Sequence, residues 1–129
     1  MAQSERIERT ALKNLIYNEE YTRKVIPFLK PDYFENRAER HLFEEIQKFV
    51  IAYNKNPTKE TLQIDLGKRK DLNEQEYNNI VEIIATLNKE EVDLEWLVNT
   101  TEKFCKDRAI HNAVLDGIHI LDGKNKTKS

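Results

Sequence analysis

The chain has 129 residues, with 21 basic and 23 acidic side chains, a net charge of −2, 39% apolar and 34% charged residues. This describes one soluble globular domain able to bury roughly two-thirds of its unfolded surface, without the global positive field of a nucleic-acid binder. Three glycines and three prolines are too few to punctuate a barrel or sandwich. One cysteine excludes an internal disulfide or a cysteine zinc cage and fits a reducing compartment.

Ser4 is the expected N-cap of a first helix, whose inward face carries Ile7, Ala11, Leu12, Leu15 and Ile16. A short second helix begins near Asn18, points Tyr21 and Val25 inward and stops at Pro27. Phe28 to Phe34 contains Pro31, whose predecessor avoids helical angles, so an ordered turn is expected with Tyr33 and Phe34 plugging the core. Arg37 to Tyr53 carries the clearest helical period, in Leu42, Phe43, Ile46, Phe49, Val50 and Tyr53.

After a loop ending at Pro57, Thr58 is expected to cap a fourth helix that stops at Gly67 or the lysines following it. Leu62, Ile64 and Leu66 alternate like a strand, but a lone strand would have no partner, so helix is retained. Asn73 and Glu76 form the pattern of a capping box before Tyr77, Ile80, Val81, Ile84 and Leu87. Asp93 caps a last helix that reaches Leu121, roughly 40 Å at about 1.5 Å per residue and longer than a small globule is wide. The expected fold is all-α: a compact bundle of about five to six helices leading into a long C-terminal helix. Residues 1–107 form the globular part, 108–121 the projecting part, and 122–129 a frayed tail or turn.

The last helix changes character along its length. Leu94, Leu97, Val98, Thr101, Phe104 and Cys105 make an ordinary inward stripe. From Ala109 onward, Ala109, Ile110, Ala113, Val114, Leu115, Gly117, Ile118, Ile120 and Leu121 cover most of the circumference. A helix apolar nearly all round needs partners on more than one side. Ile110, Ala113, Val114, Gly117, Ile118 and Leu121 are therefore the candidate protein-interface residues, with Ala113 and Gly117 small enough to admit a neighbouring helix. The alternative is that the helix folds back and is buried by its own domain. Asp122 to Asn125 reads as a turn before a returning helix that the sequence does not contain, so a piece of a longer protein is expected.

Signals for chemistry are poor. Neither G-x-x-x-x-G-K-[ST] nor G-x-G-x-x-G occurs, so no phosphate-cradling loop and no cofactor are expected. His41, His111 and His119 lack metal-ligand spacing and read as solvated polar residues, and Cys105 reads as a small buried hydrophobe. The adjacent carboxylates Glu19 and Glu20, Glu44 and Glu45, and Glu90 and Glu91 face different directions on a helix and read as solvated charge. Trp96 reads as a core anchor. Lys68, Arg69 and Lys70 form a basic run without interleaved aromatics, read as solvated loop charge rather than a strand-binding surface, and the same holds for Lys124, Lys126 and Lys128. No apolar run is long enough for a bilayer and no signal core opens the chain, so a cytoplasmic protein is expected.

Five pieces occur in order over about four-fifths of the chain: Lys24-Val25-Ile26-Pro27, Asp32-Tyr33-Phe34-Glu35, Glu74-Gln75-Glu76-Tyr77, Trp96 to Lys103 and Arg108 to Ala113. Together they resemble the amino-terminal domain of DnaB-type replicative helicases, the T-even phage branch most of all. The resemblance implies a collar domain of a hexameric motor that uses ATP and Mg and acts on single-stranded DNA. It also implies a first hairpin arm over Ala109 to Leu121, self-association as a dimer or trimer of dimers, and engagement of primase and other replisome proteins, with DNA contacted mainly by a motor domain that this sequence lacks. The competing expectation is a stand-alone helical DNA-binding or regulatory protein; a small enzyme has no candidate site.

Overall fold

A computed structural model describes residues 3–127, with side chains described for residues 7–117. Six helices are present and no strand occurs among the described residues: α1 (Gln3–Tyr17), α2 (Glu19–Val25), α3 (Arg37–Tyr53), α4 (Lys59–Gly67), α5 (Glu74–Thr86) and α6 (Leu94–Thr127), with one 3-10 turn at Pro31–Tyr33 between α2 and α3. Ser4 lies inside α1 rather than at its cap.

The other starts are fixed by side chains that satisfy orphan amides of the first turn. Asn18 accepts from the Tyr21 N–H and Asn36 from the Glu39 N–H. Thr58 and Thr61 form one capping box, Asn73 and Glu76 another. Asp93 accepts from the Trp96 N–H at 2.8 Å. The α3 helix ends on Asn54 in the left-handed region at φ 55°, a conformation that asparagine tolerates better than most residues.

The core gathers one stripe from every helix. Ala11, Leu12, Leu15, Tyr21, Val25, Leu42, Phe43, Ile46, Leu62, Leu66, Ile80, Ile84 and Leu97 are all sealed. The 3-10 turn drives Phe34 into their centre, where its ring stacks on Phe43 at 5.0 Å and meets Phe104 edge-on at 6.3 Å. One aromatic thus joins the turn, α3 and α6. The Tyr21 hydroxyl and Thr101 share a buried hydrogen bond of 2.7 Å that ties α2 to α6, and burial pushes the phenol well above its ordinary range.

Three further expectations change here. Tyr53 is 63% exposed and Trp96 56% exposed, so neither anchors the core. Tyr53 occupies the last turn of α3, beyond the reach of the packed helices, and tilts against Phe49 at 4.7 Å. Trp96 stands about 100° round α6 from Leu97, which takes the inward position. The α6 helix also continues to Thr127 through the segment expected to turn at Asp122. No proline interrupts it there, and Gly123 alone costs a helix only ~1 kcal/mol.

Phe34→Ala should lower the unfolding free energy by ~3–5 kcal/mol in urea titration, the usual cost of emptying a sealed aromatic site. A loss below ~1 kcal/mol would show that the turn can collapse into the vacated space.

Candidate interaction surface on the last helix

The body-facing row of α6 is set by its buried residues, Leu97, Thr101, Phe104 and Cys105. At about 100° per residue, the next positions on that row are Arg108, whose side chain is mostly buried, and Asn112, half-buried. The Arg108 guanidinium donates to Glu35 at 2.6 Å and the Asn112 amide to the Asp32 carbonyl at 3.3 Å. The row that is apolar up to Cys105 therefore becomes polar where it passes the Pro31 turn.

The outward side changes in the opposite sense. Glu95, Asn99, Lys103 and Lys106 occupy it over the body and are exposed. Beyond Arg108 the same side carries Ile110, Ala113, Val114 and Gly117. Ile110 is 64% and Val114 57% exposed, Ala113 is exposed, and a Cβ built on Gly117 would meet nothing within 4 Å. Leu115, two turns beyond Arg108, returns to the body-facing row and is 42% exposed. Among the interface candidates, Ile110, Ala113, Val114 and Gly117 thus share one open side, while the side chains of Ile118 and Leu121 lie outside the described residues. Within the described part of α6, the helix does not fold back to bury this side.

Two polar clusters went unread in the sequence. At the base of α6, Glu8 of α1 is almost fully buried and accepts the Glu35 N–H at 3.1 Å, while the neighbouring buried Glu39 of α3 is held by Arg9 at 2.6 Å. Burial raises the Glu8 carboxyl to about 7; the Glu39 and Glu35 carboxylates add to the rise, and the Glu35 amide and Arg108 oppose it.

The second cluster centres on Arg69. Its guanidinium grips Asp71 with both arms at 2.6 and 3.0 Å, and reaches Glu44 at 3.3 Å and buried Glu45 at 3.4 Å, with the His41 ring beside it at 3.2 Å. The Asp71 hydrogen bond moves the arginine above its ordinary range, and the reciprocal bond lowers Asp71 to about 2. Arg69, Glu45 and His41 are therefore not the solvated charges that the sequence suggested. They clamp the α4–α5 connection onto α3, because a side chain from each segment converges on one guanidinium. Nothing in the local periodicity of either segment announces that meeting.

This clamp borders an open groove of about 850 Å³ whose acids and bases are matched in number, with Lys48, Phe49 and Tyr53 along one wall. It has no buried polar group aimed at a ligand. Cys105 is buried, and burial pushes its thiol to about 12, which leaves it unreactive at neutral pH. Among the described residues, no group of three or more His, Cys, Asp or Glu side chains is placed to hold a metal ion, and no helix is long and apolar enough to cross a membrane. What the exposed part of α6 can offer chemically is apolar contact along a helix.

The family model described as the DnaB-like helicase N terminal domain matches residues 1–96. A DnaB-like replicative helicase of Enterobacteria phage T4 is 32% identical over 109 residues, which cover 84% of this chain and 23% of that protein. The chain thus spans about a quarter of the length of the relative it matches.

Because the folded protein holds the Glu8 proton more tightly than the unfolded chain, the stability it confers is complete below pH 4.5 and is lost as pH rises to about 7. Glu8→Gln should therefore be more stable than the wild type above pH 7, by up to ~3 kcal/mol, and the advantage should vanish toward pH 4.5. Urea titrations across this range with a constant difference between the two proteins would refute the assignment.

Proposed function

The chain belongs to the family of DnaB-like helicase N-terminal domains, and from that premise we propose that it is a collar domain of a replicative DNA helicase, acting through protein contacts. The observation that carries the reading is the outward side of α6, where Ile110, Ala113, Val114 and Gly117 are apolar or small and open to solvent past the point where the body ends. The occupant that fits is the matching helix of a second copy. An apolar row with Ala and Gly one turn apart lets two helix backbones approach closely, and a self-complementary contact about a two-fold axis is the commonest way for identical chains to associate.

In this reading residues 108–121 are the first arm of a helical hairpin, including Ile118 and Leu121. Dimers formed through the arm are the units of a larger ring, as a trimer of dimers. The same domain engages primase and other replisome proteins. Unwinding driven by ATP and Mg belongs to sequence outside these residues, which contain no phosphate-binding loop. The protein works in the cytoplasm of the phage-infected bacterium.

The DNA-binding alternative loses its principal support, because Arg69, the centre of the basic run, spends its hydrogen bonds on Asp71, Glu44 and Glu45.

Sedimentation equilibrium on the wild type and on Val114→Asp tests the reading. The wild type should self-associate, and the variant should do so at least tenfold more weakly, a difference of ~1.4 kcal/mol. A wild type that stays monomeric at high concentration and matches the variant would sink it. Titration calorimetry with ATP should give no saturable heat; micromolar binding would contradict the assignment of nucleotide chemistry to another segment.

A further inference from the structure

Two hydrogen bonds join the Pro31 turn segment to the free half of α6, one through Arg108 and one through Asn112. The Arg108 guanidinium is only 14% exposed and pairs with Glu35 at 2.6 Å. One turn further on, the Asn112 amide donates to the Asp32 carbonyl. Glu35 is itself held from behind, since its N–H donates to buried Glu8 of α1. On the other side of the same segment, Arg40 of α3 donates twice to the Phe34 carbonyl, at 3.1 and 3.2 Å, while the Phe34 ring is locked in the core. The segment is thus anchored at both ends to the body and offers α6 two acceptors one helical turn apart. Two contact points along an axis fix a direction, where a single one would leave a pivot.

We propose that Glu35 and the Asp32 carbonyl, gripping Arg108 and Asn112, form a brace that sets the angle at which α6 leaves the body and so the direction in which Ile110 and Val114 face. This deepens the reading of α6 as an association arm and rests on it for its purpose, though the brace itself is a property of one chain. Arg108 and Asn112 are positioning residues: they touch no partner and act by aiming those that do. Because the brace is polar and at the surface, with Glu35 56% exposed on its side chain, it can release without disturbing the core. An apolar contact at the same place would tie release to unfolding.

The test measures the arm directly. Spin labels are placed at Lys48→Cys on α3 and Asp116→Cys on α6, both exposed positions, with Cys105→Ala and Val114→Asp in the background so that the molecule is monomeric. Pulsed dipolar spectroscopy should give one narrow distance distribution. Glu35→Gln and Asn112→Ala should each broaden it, and together they should at least double its width, while Lys103→Gln on the outward side should leave it unchanged. Circular dichroism that keeps its native melting profile in these variants assigns the broadening to the arm. A double variant with native width and mean distance overturns the brace, and so does broadening as large in Lys103→Gln. If the parent with both labels does not fold, labelling at Glu82→Cys in place of Lys48→Cys repeats the measurement from α5. Loss of the brace with intact self-association, or intact bracing without self-association, separates this inference from the proposed function.

Discussion

A helix can bury one stripe against one body, and α6 is longer than the body it packs on. Everything that sets this chain apart from an ordinary small bundle follows from that mismatch. Over the body, the inward row of Leu97, Thr101, Phe104 and Cys105 is sealed and the outward row is charged. At Arg108 the two rows exchange character. The exchange costs nothing in helix propensity, because the backbone is indifferent to which side is apolar, but it leaves an uncompensated apolar surface on the outward side. Burying such surface contributes roughly 25 cal/mol per Å², so the exposed part of α6 is a standing incentive for association.

The polar residues on the inward row matter as much as the apolar ones on the outward row. Arg108 and Asn112 interrupt the inward stripe as it leaves the body, before Leu115 returns to the same row. Arg108 donates through one arm to Glu35 and Asn112 donates to the Asp32 carbonyl, while the Arg108 Nε is buried without a partner. Buried or half-buried polar groups are tolerated where they are paired. Here the pairing lets the row pass from core to surface without exposing more apolar area. A similar convergence appears at Arg69, where four acidic or imidazole groups meet one mostly buried cation.

Most of the fold was legible because it is written in local rules. The limits of α3, the Thr58 cap, the capping pair Asn73–Glu76 and the inward stripe of α6 depend on residues within a turn of one another, and periodicity or capping chemistry reads those directly. What escaped depends on distance in sequence. Periodicity placed Tyr53 on the apolar face of α3, but only the height of the neighbouring helices decides whether the last turn is covered, and it is not. Trp96 was read by residue type, although its place about 100° round the helix from Leu97 already put it off the inward row. Glu8, Glu39, Glu45 and Arg69 resemble solvated charge in any window of a dozen residues. Their burial comes from partners 24 to 30 positions away, as in Arg69 with Glu45 and Arg9 with Glu39. The exposed apolar side of α6 was legible for a simple reason: an excess of apolar residues on one helix is a compositional fact that needs no partner to be noticed.

The buried Glu8 connects these themes. A carboxyl sealed in the body without a cation in direct contact is an expensive choice if the ion alone is considered. Its Glu35 hydrogen bond explains what it supplies. The Pro31 turn has few amide partners of its own, because a single 3-10 turn satisfies little of the backbone on either side. Glu8 supplies an acceptor for one of those amides from a helix already fixed in the core. Replacing it by an apolar residue would remove the ionic cost but orphan the Glu35 N–H, on the residue whose side chain holds Arg108. The acid at the bottom of the turn and the arginine on α6 are therefore two ends of one support. Its stiffness is inherited from the core through Glu8 and Phe34 and delivered to α6 through Arg108, so the orientation of an exposed helix becomes a consequence of how well a turn some 70 residues earlier is packed.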